Sequence, residues 1–158
     1  MDVIRERVSI RKYKDRDVPE ELIGEIIEAG LCAPTGRNTQ CTKIIAVTDR
    51  EMRDRIMRAN AKIMGKDTDP FYGAPVILRV IAEKSGATYM YDGPIALGYM
   101  MLKAKELGLG TCWIHRAKQE FEGGIGKEIL EKLGLDGEYE GIGHLALGYP
   151  DESPAAKK

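Results

Sequence analysis

Long apolar runs are missing from this sequence. The longest are a few residues, such as Ala74 to Leu78, far short of the roughly 20 needed to span a bilayer. The N-terminus also lacks the basic-then-apolar pattern of a secretory leader, so the expectation is a cytoplasmic protein with no membrane partner. Neither sign of charge is in excess: 24 Lys and Arg face 25 Asp and Glu. No overall field would draw nucleic acid, and any anion site must be local. Cysteine is scarce and odd in number (Cys32, Cys41, Cys112), and histidine occurs only at His115 and His144. That pattern speaks against a disulfide framework and provides no metal-ligand spacing. No 20 to 50 residue period repeats, and no low-complexity block separates domains. A dinucleotide fingerprint is absent too, because Gly36, Gly108 and Gly110 do not form G-x-G-x-x-G after a strand.

The 158 residues suffice for one domain burying roughly 70% of its unfolded surface. The expected organisation is a single domain over 1–150 followed by a polar tail, 151–158. The stretch Arg7-Val8-Ser9-Ile10-Arg11-Lys12-Tyr13 places a hydroxyl between two guanidinium groups. In an extended chain Arg7, Ser9 and Arg11 share one face while Val8 and Ile10 point to the other. The polar face is either ordinary solvated charge or an anion seat, since guanidinium forks match phosphate oxygens bidentately.

Further elements follow from spacing. Asp17 with Glu20 forms a capping-box pattern, and Leu22, Ile23, Ile26, Ile27 and Leu31 recur at helical spacing to near Gly30. Residues 33–40 (Ala33-Pro34-Thr35-Gly36-Arg37-Asn38-Thr39-Gln40) hold almost no apolar side chain and read as an exposed loop, either a plain turn or the lining for a polar heterocycle. Thr42 to Thr48 reads as a strand. Thr48 with Glu51 caps a helix from about Asp49 to Met64, whose apolar face is Met52, Ile56, Met57 and Ile63 and whose Arg50, Arg53, Arg55, Arg58 and Lys62 read as solvated. Residues 65–73 are a loop in which Phe71 and Tyr72 either pack or wall a pocket. Pro75 to Ala82 is a central strand interrupted by Arg79, and a helix over Tyr89 to Leu107 follows, with small Gly93, Ala96 and Gly98. Gly108 to Ile114 is a helix exit and strand, Gly124 to Leu133 a helix, and Gly141 to Tyr149 a strand in which Gly143 and Gly148 mark bulges or close backbone approach. His144 in that strand reads as a core histidine.

Three segments, Arg7 to Arg11, Ala33 to Gln40 and Gly108-Leu109-Gly110-Thr111-Cys112-Trp113-Ile114, resemble in order and spacing the signature segments of the FMN-dependent nitroreductase family, in particular its short, compact members. The resemblance runs from Ile4 to about Pro150. It implies an α+β fold, with helices flanking a central, mainly antiparallel sheet, and a homodimer with FMN at the interface. It implies that Arg7, Ser9 and Arg11 hold the phosphate, with Val8 beside them at the cofactor site, while Pro34, Thr35, Gly36, Asn38 and Gln40 contact the flavin from the partner subunit. Backbone at Gly110, Thr111, Trp113, Ile114 and His115 would then face the ring. Cys41-Thr42 stands where the family commonly has Pro-Trp. The family's late phosphate-binding Arg is absent, and Lys157 or Lys158 would substitute, unless the tail is disordered. His115 is either a surface or structural residue or a proton donor over the flavin. Asn60 and Lys62 are the nearest counterparts of a flavin-contacting Asn and Lys, without an assigned role. The implied activity is NAD(P)H-dependent, ping-pong hydride transfer to nitroaromatic, quinone or similar small-molecule electron acceptors. The alternatives are an FMN-binding storage or sensing protein without efficient turnover, or a binder of another phosphate monoester.

Overall fold

The computed structural model describes residues 2–156. Four strands, β1 (Thr42–Val47), β2 (Val76–Glu83), β3 (Gly110–Ile114) and β4 (Tyr139–Gly148), form one sheet in the order β1-β2-β4-β3 with every pairing antiparallel. Helices α1 (Val3–Glu6), α2 (Glu20–Leu31), α3 (Arg50–Met64), α4 (Tyr89–Glu106), α5 (Ala117–Glu122) and α6 (Gly124–Lys132) surround it. The α+β expectation, helices around a mainly antiparallel sheet, is met.

The sheet is covered on both faces, which is why β2 is apolar almost without interruption instead of alternating. On one face α2 and α4 pack Ile23, Ile26, Leu97 and Met100 against Val76, Leu78, Val80, Leu145 and Leu147. On the other, α3 and α6 contribute Ile56 and Ile129, which meet Phe71, Ile77, Cys112, Ile114 and Ala146. The register of β2 against β4 shifts between Val80 and Ile81, leaving Ile142 as the extra residue between Gly141 and Gly143. Gly143 does mark a close approach, because a Cβ there would lie 2.9 Å from Leu97 and Trp113 side-chain atoms.

Several local expectations change. α2 begins at Glu20 after Pro19, and neither Pro19 nor Asp17 caps it with a side chain. α3 is capped by the Asp49 carboxylate, which accepts from the Met52 N–H at 2.8 Å, in place of the Thr48 box. Arg53 is buried, not solvated: its Nε donates to the Ala74 carbonyl at 3.0 Å and its NH2 group to Asp69 at 2.5 Å. Ile63, expected inward, is 40% exposed. The short helices α1 and α5 carry too few residues to show an apolar period, so spacing gives no sign of them.

Candidate functional site

The Arg-Ser-Arg segment lies along the free edge of β3. Ser9 makes an isolated parallel bridge to Thr111, and the Ile10 N–H donates to the Thr111 carbonyl at 2.9 Å. Ile10 is buried and Arg11 exposed, so the segment packs on one side and offers charge on the other, as alternation requires. The fit is close: a Cβ on Gly110 would meet Ile10 side-chain atoms at 2.7 to 3.0 Å. Arg7, Val8, Gly110 and Thr111 border a cavity of about 180 Å³, together with Lys105 and Glu152. Structure thus gathers Arg7, Val8, Ser9, Arg11, Gly110 and Thr111 into one corner.

Three groups complete this corner: Cys112 of the third segment, Tyr72, one of the two aromatics that could wall a pocket, and Glu152, which spacing does not reveal. Glu152 accepts the Arg11 N–H at 2.5 Å. The Arg11 guanidinium is held above its ordinary pKa, first by Cys112 and then, against a cost of burial, by Tyr72 and Glu152. Burial pushes the Cys112 thiol up, outweighing Arg11, the Ser9 hydroxyl and Arg7, so it is a protonated thiol at neutral pH and not a nucleophile. Phe71 packs into the core against His144, whereas Tyr72 is 42% exposed and left-handed at φ 56°. Only the second of that aromatic pair therefore borders the corner. Lys157 and Lys158 lie outside the described residues.

At the other end of β3, alternation decides which backbone groups are free. The outward carbonyl of Thr111, bonded to Ile10, sets the pattern: Cys112 and Ile114 exchange bonds with β4, while Trp113 turns its N–H and C=O to the open edge. The Ile114 side chain is buried and its backbone is paired with His144 of β4, so Ile114, unlike Trp113, offers no free group at this end. The Trp113 ring packs over Gly143 and keeps 36% exposure. The His115 side chain is exposed, and its carbonyl accepts from Asn60 Nδ2 at 3.0 Å.

The 34–40 loop sits elsewhere. It precedes β1, the opposite edge strand, and β1 and β3 are separated by three strand spacings, about 14 Å. Within one chain the loop is therefore not brought to the Arg-Ser-Arg corner. A short 3-10 turn, Gly36–Asn38, organises it, and Arg37, Asn38 and Gln40 all have φ near +50°. Its anchor is Asp92 on α4. That buried carboxylate accepts from the Gly36 N–H at 3.0 Å, the Thr88 hydroxyl at 3.0 Å and the Cys41 thiol at 3.4 Å. Gly36 is required by this approach, since a Cβ would lie 2.1 Å from Thr88 Oγ1. The Thr35 hydroxyl accepts from the Gln40 N–H at 3.0 Å, and Gln40 Nε2 donates to Asn38 Oδ1 at 3.4 Å. Pro34 is exposed ahead of the turn. Asp92 was detectable as an isolated acid at the start of a largely apolar helix.

α4 also presents an uncovered apolar stripe. Tyr91 is 73% exposed, Ile95 40% and Tyr99 43%, at i, i+4 and i+8 on one face. Of its small residues, Gly93 packs under Ile142 of the sheet and does not meet another helix, whereas a Cβ on Gly98 would find nothing within 4 Å.

Beneath the His115 turn lies a charged network inside the core. Arg79 and Glu120 are fully buried and ion-paired, and His144 Nε2 is 3.2 Å from Glu120 Oε1 without the alignment of a hydrogen bond. Burial lowers the Arg79 pKa to about 10, so it stays charged. Burial lowers His144 as well, and Arg79 reinforces this, leaving a neutral imidazole. Burial raises Glu120, but its contacts to His144, Arg79 and Asn60 more than compensate, so it is ionised. His144 is thus a core histidine, as its setting in an apolar strand suggested.

Comparison with known proteins gives the same picture. Residues 4–149 match the family model described as the nitroreductase family. A nitroreductase with bound FMN from Bacteroides fragilis superposes with a TM-score of 0.84 at 28% identity, covering 99% of this chain and 91% of that one. An FMN-dependent nitroreductase from Clostridium difficile gives 0.82 at 31% identity, covering 99% and 90%. A Methanothermobacter thermautotrophicus protein, provisionally named NADH dehydrogenase/NAD(P)H nitroreductase, is 32% identical over 99% of this chain and 80% of its own length. No described helix is long and apolar enough to cross a membrane, and no described cluster of His, Cys, Asp and Glu could hold a metal ion. A match that takes in all three signature segments, on the antiparallel sheet that carries them, places this chain in the nitroreductase family.

Proposed function

We propose that this chain is an FMN-dependent oxidoreductase that draws electrons from NAD(P)H and delivers them to nitroaromatic, quinone or similar electron-poor acceptors. The carrying observation is the corner itself: two guanidinium groups and a hydroxyl fixed against a sheet edge whose free backbone continues to His115. That donor set fits a phosphate monoester, and Arg7, Ser9 and Arg11 would hold it by charge-assisted bonds. Lys105 and the carboxylates of Glu6 and Glu152 border the same corner, and Lys105 is paired with Glu6, so a bound phosphate faces Arg7 and Arg11 against the one remaining carboxylate, Glu152.

When bound, FMN supplies the hydride chemistry, and the protein binds, orients and tunes it. The backbone at Trp113 and His115 would stabilise negative charge at the ring edge without a titrating acid. The exposed His115 side chain is the one histidine able to assist protonation of an acceptor. Pro34, Thr35, Gly36, Asn38 and Gln40 would come from a second copy, because within one chain the sheet separates them from the corner. The apolar stripe of α4 carries that homodimer, and the latch of Gly36 to α4 through Asp92 ties interface to loop. Donor and acceptor would use the one open face in turn, giving ping-pong kinetics.

The test is the visible spectrum of the FMN-loaded protein without oxygen. NADH or NADPH should bleach the flavin band, and a nitroaromatic or quinone should restore it. A bound flavin that neither donor reduces would indicate a storage or sensing protein, and no flavin binding would overturn the site.

A further inference from the structure

Arg116 stands two residues past the end of β3, with φ 77° and ψ 10°, a left-handed conformation that a side chain disfavours and glycine would accept freely. Something other than its own preference must hold it. Asn60, fully buried on α3, makes three contacts there. Its Nδ2 donates to the His115 carbonyl at 3.0 Å and to Glu120 Oε1 at 2.5 Å, and its Oδ1 accepts from Arg116 Nε at 2.9 Å. The orientation of the amide is fixed by its partners, since a carbonyl and a carboxylate can only accept and a guanidinium can only donate. No other side chain of this size satisfies all three, and aspartate would set a carboxylate against two acceptors. Glu120 is in turn anchored to Arg79 on β2.

The peptide between His115 and Arg116 is planar and trans, so its carbonyl and its N–H point in opposite directions. Drawing the His115 carbonyl inward to Asn60 therefore turns the Arg116 N–H away from Asn60, and among the described residues it donates to no backbone carbonyl. We infer that Asn60 is a positioning residue for the His115–Arg116 turn: it aims the Arg116 amide at the reactive edge of the flavin and so sets the ease of flavin reduction, with little effect on affinity. This rests on the flavin reading proposed above, and it gives Asn60 a structural task beneath the turn in place of direct contact with the ring.

The experiment compares wild type, Asn60→Ala and the double variant Asn60→Ala/Arg116→Gly. Asn60→Ala should bind FMN within about threefold of wild type, because the phosphate corner is untouched. Its flavin should be reduced about tenfold more slowly at saturating donor and at a more negative midpoint potential. Arg116→Gly should recover much of both losses, since glycine holds the left-handed turn unaided. Hydrogen exchange in the FMN-free proteins gives an independent reading, with amides of residues 115–120 exchanging about tenfold faster in Asn60→Ala than in wild type. Should Asn60→Ala fail to fold, Asn60→Ser, which brings no charge beside Glu120, is read by the same measurements. An unchanged potential together with unchanged exchange would overturn the inference, as would a loss that follows thermal stability and is not recovered by Arg116→Gly. If the wild type bound no flavin, the functional reading would fall while exchange still decided whether Asn60 holds the turn.

Discussion

Replacing Glu120 by alanine tests the buried network with the largest expected effect. Arg79 and Glu120 are both inaccessible to water, and Glu120 also accepts from Asn60. Removal of the carboxylate leaves a guanidinium that still titrates far above neutral pH without a counter-charge in the core, along with an Asn60 N–H that has lost one acceptor. Breaking a buried pair in this way costs about 3 to 5 kcal/mol. For a chain of 158 residues, each kcal/mol lowers Tm by about 2–4 °C, so the expected fall is about 6–20 °C. Urea titration followed by circular dichroism and a thermal scan would measure it. The double variant Arg79→Met/Glu120→Leu removes both charges and fills the space, and it should recover most of the loss, because an apolar pair of similar volume often replaces a buried ion pair at no cost. A loss below about 1 kcal/mol for Glu120→Ala would refute the argument, as would a double variant less stable than the single one.

Three further outcomes follow from the same geometry. His144 is buried with its pKa below the usual 6.5. The unfolded chain therefore takes up the proton first, and stability that is complete above about pH 6.5 falls with acidification by up to about 1.4 kcal/mol per pH unit. Glu120, depressed below 4.5, adds a second loss at lower pH, and His144→Gln should flatten the first slope in a series of thermal scans. Gly110→Ala puts a Cβ 2.7 Å from Ile10 Cγ1, which should lift the Arg-Ser-Arg segment off β3 at a cost of about 1–3 kcal/mol and weaken FMN binding in a fluorescence titration. Tyr91→Asp/Ile95→Asp, on the exposed stripe of α4, should reduce the mass seen by analytical ultracentrifugation from about twice 17.5 kDa to that of one chain and abolish FMN binding with it.

The long elements were legible because each carries a period. α2 and α3 show a 3.6-residue stripe, α4 is apolar on both faces, and β2 and β4 are apolar runs of strand length. Donor types in the Arg-Ser-Arg corner could also be read from sequence, since alternation along an extended segment separates Arg7, Ser9 and Arg11 from Ile10. What spacing could not supply was tertiary. The Asp49 cap displaced the Thr48 box because both are good N-caps one residue apart, and the choice depends on where the chain leaves β1. Arg53 gave no sign of burial, since its partners Ala74 and Asp69 are 21 and 16 residues away. Asn60, Glu120 and Glu152 each act through contacts 50 or more residues distant in sequence. Such side chains look like ordinary surface polarity until the fold encloses them. Arg116 is the opposite case, a residue in a conformation its type disfavours, which only the backbone angles reveal.

The most direct test of the central claim compares the binding of FMN and riboflavin, which differ only in the phosphate, to wild type and to Arg7→Ala. If Arg7, Ser9 and Arg11 hold that phosphate, wild type binds FMN far more tightly than riboflavin. Arg7→Ala should then lose about 2 kcal/mol, near 30-fold, for FMN while leaving riboflavin affinity unchanged. Equal affinity of the wild type for the two flavins, or an Arg7→Ala variant that binds FMN as wild type does, would contradict the account.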